Sequence, residues 1–378
     1  MRITIVVGPF YPVPTVLGGA VEKVHMLLAG AYRDAGHQVT IVSRRFKDFA
    51  HDETVDGIRH FRVRSSDRSS NLAVNLALDF IYAARVARAL PLADVTITNS
   101  FFLPLLLPRR RAGKIYVQIG RYPKGQMFLY FRADRLQAVS SVVGQAVAHQ
   151  VPWLKAKVSV IGYAIPDAFF EQRKEAVVEQ VVLYVGRIAR EKGIELLFRA
   201  FAKVRSQPDQ DAAAAWKLRV VGPHAVSQGG DGPQYFEELK QLARELGVTC
   251  EFVPPIFEQN ALIGEYQSGA IFVYPSLAET GESLGLAPLE AMAAGCATIV
   301  SDLRCFDDYV ADGITGLRFD HRSTNQVGKL AEKLNTLIRD PDYLQTIAEA
   351  GHSAAEKFSV ARISERMMED LNQVVSTG

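Results

Sequence analysis

A chain of 378 residues, 48% hydrophobic and 22% charged, is too long for one ordinary domain and too apolar to stay disordered; it suits two packed domains of average size. The formal net charge of +2 hides an asymmetry, because residues 1–170 carry 22 Lys/Arg against 11 Asp/Glu, and residues 171–378 carry 21 against 30.

The opening apolar run to Val7 is short, lacks a small-residue cleavage site and ends at Gly8-Pro9, so it reads as a first strand, Ile3–Val7, and not as a secretory signal. A loop to Gly19 leads into an amphipathic helix with Val21, Val24, Leu28, Ala31, Tyr32 and Ala35 on one face. Gly36 closes it, and Val39–Val42 is the next strand. Further strands are expected at Val95–Thr98, Ile115–Val117 and Leu136–Val139. The apolar run Phe101–Pro108 is far too short to span a bilayer. Basic clusters at Arg44–Lys47, Arg59–Arg68 and Arg109–Arg111 read either as a solvated face or as a surface meeting an anionic partner, such as a membrane leaflet. No aromatic residues are regularly interleaved with them, which argues against nucleic acid.

The pattern restarts after a charged stretch, Pro166–Gln180, that is the best linker candidate. Strands are expected at Val181–Val185, Leu218–Val221, Cys250–Val253, Ile271–Tyr274 and Ala297–Val300. Helices are expected at Ile194–Val204, Tyr235–Leu246, near Asn260–Gln267, near Leu286–Ala294 and at Ala361–Val375. Short continuous apolar runs suit strands covered on both faces, hence parallel sheets. Two doubly wound α/β domains in series follow, with boundaries placed at 1–168 and 169–358, and a closing helix in 359–378 expected to cross back to the first domain. Their ligands are expected where such sheets bind them, at the carboxyl ends of the strands and in a cleft between the domains.

The segment Pro275–Gly295 carries the most chemistry. Glu282 precedes a helix and Glu290 lies about a turn inside it, with Gly285 and Leu286 where the helix begins. Free backbone N–H groups at a helix start favour a diphosphate, and flanking carboxylates accept hydrogen bonds from vicinal hydroxyls. Pro288 in the first turn costs no helical hydrogen bond. A second cluster, Val185–Gly193, offers glycine at a strand end followed by Arg187 and Lys192, cations suited to a departing phosphate. A third, Gly18-Gly19 at the first strand-to-helix turn, lets backbone approach a ligand, but it lacks the Gly-x-Gly-x-x-Gly spacing of nicotinamide and flavin folds. Three cysteines (Cys250, Cys296, Cys305) have neither disulfide pairing nor metal-ligand spacing, as in a reduced cytosolic protein. Asp340-Pro-Asp342 has the look of a metal-binding Asp-x-Asp but reads as turn chemistry.

Together these residues resemble the retaining glycosyltransferases of family 4, whose GT-B fold has two facing Rossmann-like domains. The resemblance rests on Gly18–Glu22 with Gly36–Val39, Gly186-Arg187 with Lys192-Gly193, Pro275-Ser276, Glu282-x7-Glu290, Ala294-Gly295 and Asp312–Gly316. It implies that Arg187 and Lys192 hold the donor diphosphate, Glu282 contacts sugar hydroxyls and Glu290 binds the ribose. It further implies that Gly186, Ser283, Leu284, Gly285 and Leu286 line the donor site, that Pro255 and Ile256 pack the base, and that Gly18 and Gly19 approach phosphate or acceptor. No metal and no cofactor are expected; the donor is a nucleotide sugar, UDP ahead of GDP. The acceptor is expected to be a glycan or a lipid-linked sugar of cell-surface polysaccharide, in the cytoplasm or at the inner face of a membrane. The chain departs from the family where a histidine is usual: Val117–Arg121 has none, so Gln118 or Arg121 stands in as a donor or acceptor contact. Glu279 is an extra acid beside Glu282, so the choice between them rests on spacing. Two other readings, a sugar-nucleotide epimerase of the same fold and a non-catalytic sugar-nucleotide-binding protein, fit the same motifs.

Overall fold

The computed structural model describes residues 1–16, 19–171, 179–206 and 211–377. Gly18 and residues 172–178 of the expected linker lie outside these residues; at the linker's near end a short turn forms over Asp167–Phe169. The chain divides into two compact units, one built from Met1–Ala164 with Val360–Gly378 and the other from Ile165–Ser359.

The first unit holds an eight-stranded sheet. Its strands are β1 (Arg2–Val6), β2 (Gln38–Arg44), β3 (Asp52–Val55), β4 (Ile58–Val63), β5 (Val95–Thr98), β6 (Lys114–Ile119), β7 (Arg135–Ala138) and β8 (Val158–Val160). The order is β3-β4-β2-β1-β5-β6-β7-β8, parallel except for the β3–β4 hairpin. Ile3, Ile5, Ile41, Ile97 and Ile115 are buried, as strands sandwiched by helices require. Helix α1 (Ala20–Asp34) lays Val24, Leu28 and Tyr32 on the core at i, i+4, i+8, and α2 (Leu72–Ala89) is capped by the Asn71 side chain. Helix α3 (Ser141–Gln150) is capped by Ser140.

The second unit holds a six-stranded parallel sheet of β9 (Glu179–Val185), β10 (Lys217–Val221), β11 (Cys250–Val253), β12 (Gly269–Tyr274), β13 (Ala297–Ser301) and β14 (Leu317–Phe319). Its principal helices are α4 (Ile194–Arg205), α5 (Gly232–Glu245), α6 (Gln259–Ser268), α7 (Leu286–Ala293), α8 (Gln326–Arg339) and α9 (Pro341–Ala355). Asp340 caps α9 through Tyr343 N–H at 2.9 Å, which is what the Asp-Pro-Asp string does here. The last helix, α10 (Val360–Ser376), packs on the first unit. There Asp370 pairs with Arg135 at 2.9 Å and accepts hydrogen bonds from Tyr116 at 2.6 Å and Ser159 at 2.9 Å.

The basic clusters are not one solvated face. Arg44 is buried and donates to the Phe10 carbonyl and Asp67. Arg62 is buried on β4, where it bonds the carbonyls of Ala50 and Val13 and the carboxylate of Glu53. Arg59 pairs with Asp52 and Arg109 with Asp134. Burying a guanidinium is costly unless its donors are satisfied, and both terminal nitrogens of Arg62 are, while its Nε has no partner.

Candidate functional site

In the second unit the sheet order is β11-β10-β9-β12-β13-β14. The chain runs outward from β9 to β11, then returns to β12 on the other flank of β9. Neighbouring strands β9 and β12 therefore release their loops side by side in opposite connection directions, the switch point at which open α/β sheets bind ligands. The loop Gly186–Gly193 leaves β9 and the loop Pro275–Gly285 leaves β12.

The two loops are stitched by backbone. Leu277 N–H donates to the Glu191 carbonyl at 2.8 Å. Gly193 sits at φ +67°, and a Cβ there would lie 2.1 Å from the Pro275 carbonyl oxygen, so only glycine lets the loops close.

Lys192 and Glu282 meet in this junction. Lys192 is 4% exposed and Glu282 8%, and the ammonium donates to Glu282 Oε1. The same oxygen accepts from the Tyr274 hydroxyl at 3.0 Å and from Ser276 Oγ at 3.1 Å. All three side-chain donors to Glu282 among the described residues converge on Oε1; Oε2 is left for another donor. The resemblance gives the two residues separate ligands, and the structure makes them partners of each other. Arg187 is the accessible cation: half its side chain is exposed, and it donates to Glu191 at 2.7 Å and to the Gly229 carbonyl at 2.6 Å. Its own carbonyl accepts from Tyr184 at 2.9 Å.

Helix α7 starts at Gly285, whose φ is +77° and whose absent Cβ leaves room for Phe306 and Tyr309. The Tyr309 hydroxyl lies 2.8 and 2.9 Å from the carbonyls of Leu284 and Gly285. Leu284 is buried, whereas Ser283 and Leu286 are half-buried beside the free N–H groups of the helix start. One turn on, Glu290 accepts from the Tyr266 hydroxyl at 2.9 Å. Gly186 lies against Gly222 at the end of β10, where a Cβ would come within 1.9 Å of the Gly186 carbonyl oxygen. Pro255 and Ile256 are half-buried in the loop after β11.

Glu279 is elsewhere engaged. It is exposed, sits 3.0 Å from His321 Nε2 and 2.7 Å from Arg322, and the Arg322 guanidinium holds its carboxyl below the ordinary range. His321, buried in the turn after β14, was not marked by any sequence motif.

The remaining residues lie in the first unit. Gly19 caps α1 at φ +110°, and a Cβ there would fall 2.4 Å from Glu22 Oε2. Glu22 is buried, and burial pushes its carboxyl up. Gln118 is buried on β6 with Oε1 lacking a protein partner, and Arg121 is exposed just beyond that strand. Among the described residues no three His, Cys, Asp or Glu side chains are grouped to hold a metal.

Sequence reasoning missed Tyr184, Tyr266, Tyr274 and Tyr309. A signal was available for two of them: Tyr184 and Tyr274 stand at or beside the last position of two strands that end in the marked loops.

This architecture is the GT-B fold. Over 99% of this chain and 100% of the other, it superposes with TM-score 0.74 on the Anabaena HepE protein solved with UDP and glucose, at 17% identity. Residues 167–354 match the model of glycosyl transferases group 1, and the chain belongs to that family. It is 34% identical over 201 residues to the alpha-maltose-1-phosphate synthase of Mycolicibacterium smegmatis, covering 51% of this chain and 48% of that one. It is 28% identical over 191 residues to the lipopolysaccharide 1,2-N-acetylglucosaminetransferase of Salmonella typhimurium, covering 50% and 48%. Each match thus spans about half the length of the curated relative.

Proposed function

We propose that this chain is a retaining, metal-independent glycosyltransferase that moves a sugar from a nucleoside diphosphate carrier to a glycan or lipid-linked acceptor. The observation that carries the reading is the switch-point junction, where Lys192, Arg187 and Glu282 meet beside a helix start opened by Gly285.

The diphosphate lies against the α7 N-terminus and the Gly186 backbone, and Arg187 exchanges its contacts with Glu191 and Gly229 for phosphate oxygens. The buried Lys192–Glu282 pair places an ammonium at the phosphate side and the open Oε2 of Glu282 at sugar hydroxyls. Glu290 takes ribose hydroxyls, and Pro255 with Ile256 flanks the base. As the bond between the anomeric carbon and phosphate oxygen breaks, the acceptor oxygen bonds that carbon on the same face. Breaking that bond leaves its electron pair on the phosphate, where the two cations stabilise the growing charge, and the departing phosphate takes the acceptor proton.

UDP is the favoured carrier, supported by the UDP bound in the Anabaena neighbour. A role in cell-surface polysaccharide is supported by the name of the Salmonella relative. Peripheral association with an anionic membrane is supported by α2, which exposes Leu72, Val74, Phe80 and Ile81 and carries Arg85 and Arg88, neither of which has a carboxylate partner among the described residues. No helix among the described residues is long and apolar enough to cross a membrane.

The test is a panel of nucleotide sugars assayed for hydrolysis and transfer, with and without EDTA, on wild type, Arg187→Ala and Lys192→Ala. Turnover should survive EDTA and fall at least a hundredfold in both variants. Near-normal rates in both would refute the phosphate assignment.

A further inference from the structure

Behind the junction stand four buried tyrosines, Tyr184, Tyr266, Tyr274 and Tyr309, each ending in a hydroxyl on a site element. Tyr184 reaches the Arg187 carbonyl and Tyr309 the carbonyls at the start of α7. The other two reach carboxylates: Tyr274 reaches Glu282 at 3.0 Å, and Tyr266 reaches Glu290 at 2.9 Å.

Their rings cannot swing. Tyr274 stacks on Tyr184 with ring centroids 5.9 Å apart and planes 7° from parallel, and meets the edge of Phe306 at 6.3 Å. Tyr266 is wedged between Phe169 and Phe272 at 5.8 and 5.7 Å. Each hydroxyl is therefore a fixed donor at the end of a rigid ring. Burial also raises both hydroxyls well above the ordinary phenol range, which keeps them protonated as donors.

A buried tyrosine in this protein does not need a protein partner. In the first unit the hydroxyls of Tyr32, Tyr82 and Tyr163 are buried with none. The pairing of Tyr266 and Tyr274 with the two carboxylates of the Glu-x7-Glu segment is thus a feature of the site and not a general consequence of packing.

We infer that Tyr266 and Tyr274 are positioning residues, the first setting the Glu290 carboxylate for the nucleotide and the second setting Glu282 for the transferred sugar. The inference rests on the donor-site reading above. By occupying Oε1 together with Ser276 and Lys192, Tyr274 leaves Oε2 of Glu282 for sugar hydroxyls, and Tyr266 fixes the Glu290 carboxylate through its Oε2.

The experiment compares wild type, Tyr266→Phe and Tyr274→Phe, which keep the ring stacking and remove only the hydroxyl. Calorimetry measures Kd for UDP and UDP-glucose, and for GDP and GDP-mannose in parallel. With the better-bound pair, Y266F should weaken nucleoside diphosphate binding about tenfold and leave the sugar's added affinity unchanged. Y274F should leave diphosphate binding within twofold and cut the sugar's added affinity about tenfold. A merely structural role would lower the thermal midpoint and weaken both measures together in both variants; that result, or no change in either, overturns the inference. Ser276→Ala, which removes the other neutral donor on Glu282, gives the same sugar-specific loss should Y274F fold poorly. Glu290→Ala and Glu282→Ala separate the two claims: if they alter binding while the Phe variants do not, only the tyrosine assignment fails. If they too leave binding unchanged, the donor-site reading fails.

Discussion

The Lys192–Glu282 pair gives the most exacting test, because stability and chemistry respond to it in opposite ways. Both side chains are more than nine-tenths buried, so removing either one strands a charge. Lys192→Met leaves a carboxylate with two neutral donors, Tyr274 and Ser276. Glu282→Gln leaves an ammonium whose remaining anion, Glu191, is 3.9 Å away and whose aromatic neighbour, the Tyr274 ring, is 5.4 Å away. Each single change should cost about 3 kcal/mol, at the lower end of what breaking a buried pair costs because neutral partners remain. In a unit of this size that lowers the thermal midpoint by about 10 °C. The double variant removes both charges and should cost only about 1 kcal/mol, so the coupling approaches about 5 kcal/mol. Melts of the four unliganded proteins followed by circular dichroism read this directly. The double variant should then be near wild type in stability yet inactive, the sign of a pair kept for its chemistry. Additive losses, with coupling under about 0.5 kcal/mol, would mean that the two side chains are not paired in solution and would refute the reasoning.

Gly193→Ala should destabilise the protein by about 3 kcal/mol and abolish turnover, since its Cβ meets the Pro275 carbonyl. Gly247→Ala, at φ +63° in open space, should cost only about 1 kcal/mol with activity intact, as denaturation curves and rates will report. Burial holds the His25 imidazole at about 4, below its ordinary 6.5. A folded-state value depressed in this way gives stability that is present above pH 6.5 and is lost as pH falls toward 4, about 3 kcal/mol in all, and His25→Leu should flatten that part of a pH–melting profile. Replacing Leu72, Phe80 and Ile81 together by serine should abolish sedimentation with phosphatidylglycerol vesicles, which 0.5 M salt should only weaken; unchanged binding would exclude α2 as the contact.

Most of the sheet architecture was legible because strands such as Gly269–Tyr274 are continuously apolar and buried, a pattern that only a two-sided parallel sheet explains. Strand β4 was not legible, because its inward positions hold His60 and Arg62, and a run of arginines reads as solvent-facing until the carbonyls and the carboxylate that receive them are seen. Of the helices after β14, α10 was expected, whereas α8 and α9 carry no motif and were missed for want of a chemical signal. In the site, residue types and spacing named the loops, since glycine at positive φ and acids at a helix start are local requirements. The partnership of Lys192 with Glu282, ninety residues apart, is a product of strand order, which places β12 beside β9 only after the chain has passed through β10 and β11.

The choice between Glu282 and Glu279, which spacing leaves open, can be argued from strand order. Both acids lie in the loop after β12, three residues apart, and both have cationic neighbours. Glu279 faces the loop after β14, two strands away from β12, where His321 and Arg322 bind it at the surface. Exposed pairs of this kind contribute under about 1 kcal/mol, so Glu279→Gln should leave the melting point nearly unchanged and alter kcat less than fivefold. Glu282 faces β9 and its cationic loop, and Glu282→Gln should lower kcat at least a hundredfold, because an amide cannot hold Lys192 or charge its open oxygen toward sugar hydroxyls. Steady-state rates of the two variants with one donor decide the matter. If Glu279→Gln is the inactive one, the sugar-binding acid belongs to the β14 side of the sheet, and the junction of β9 and β12 is a structural clasp.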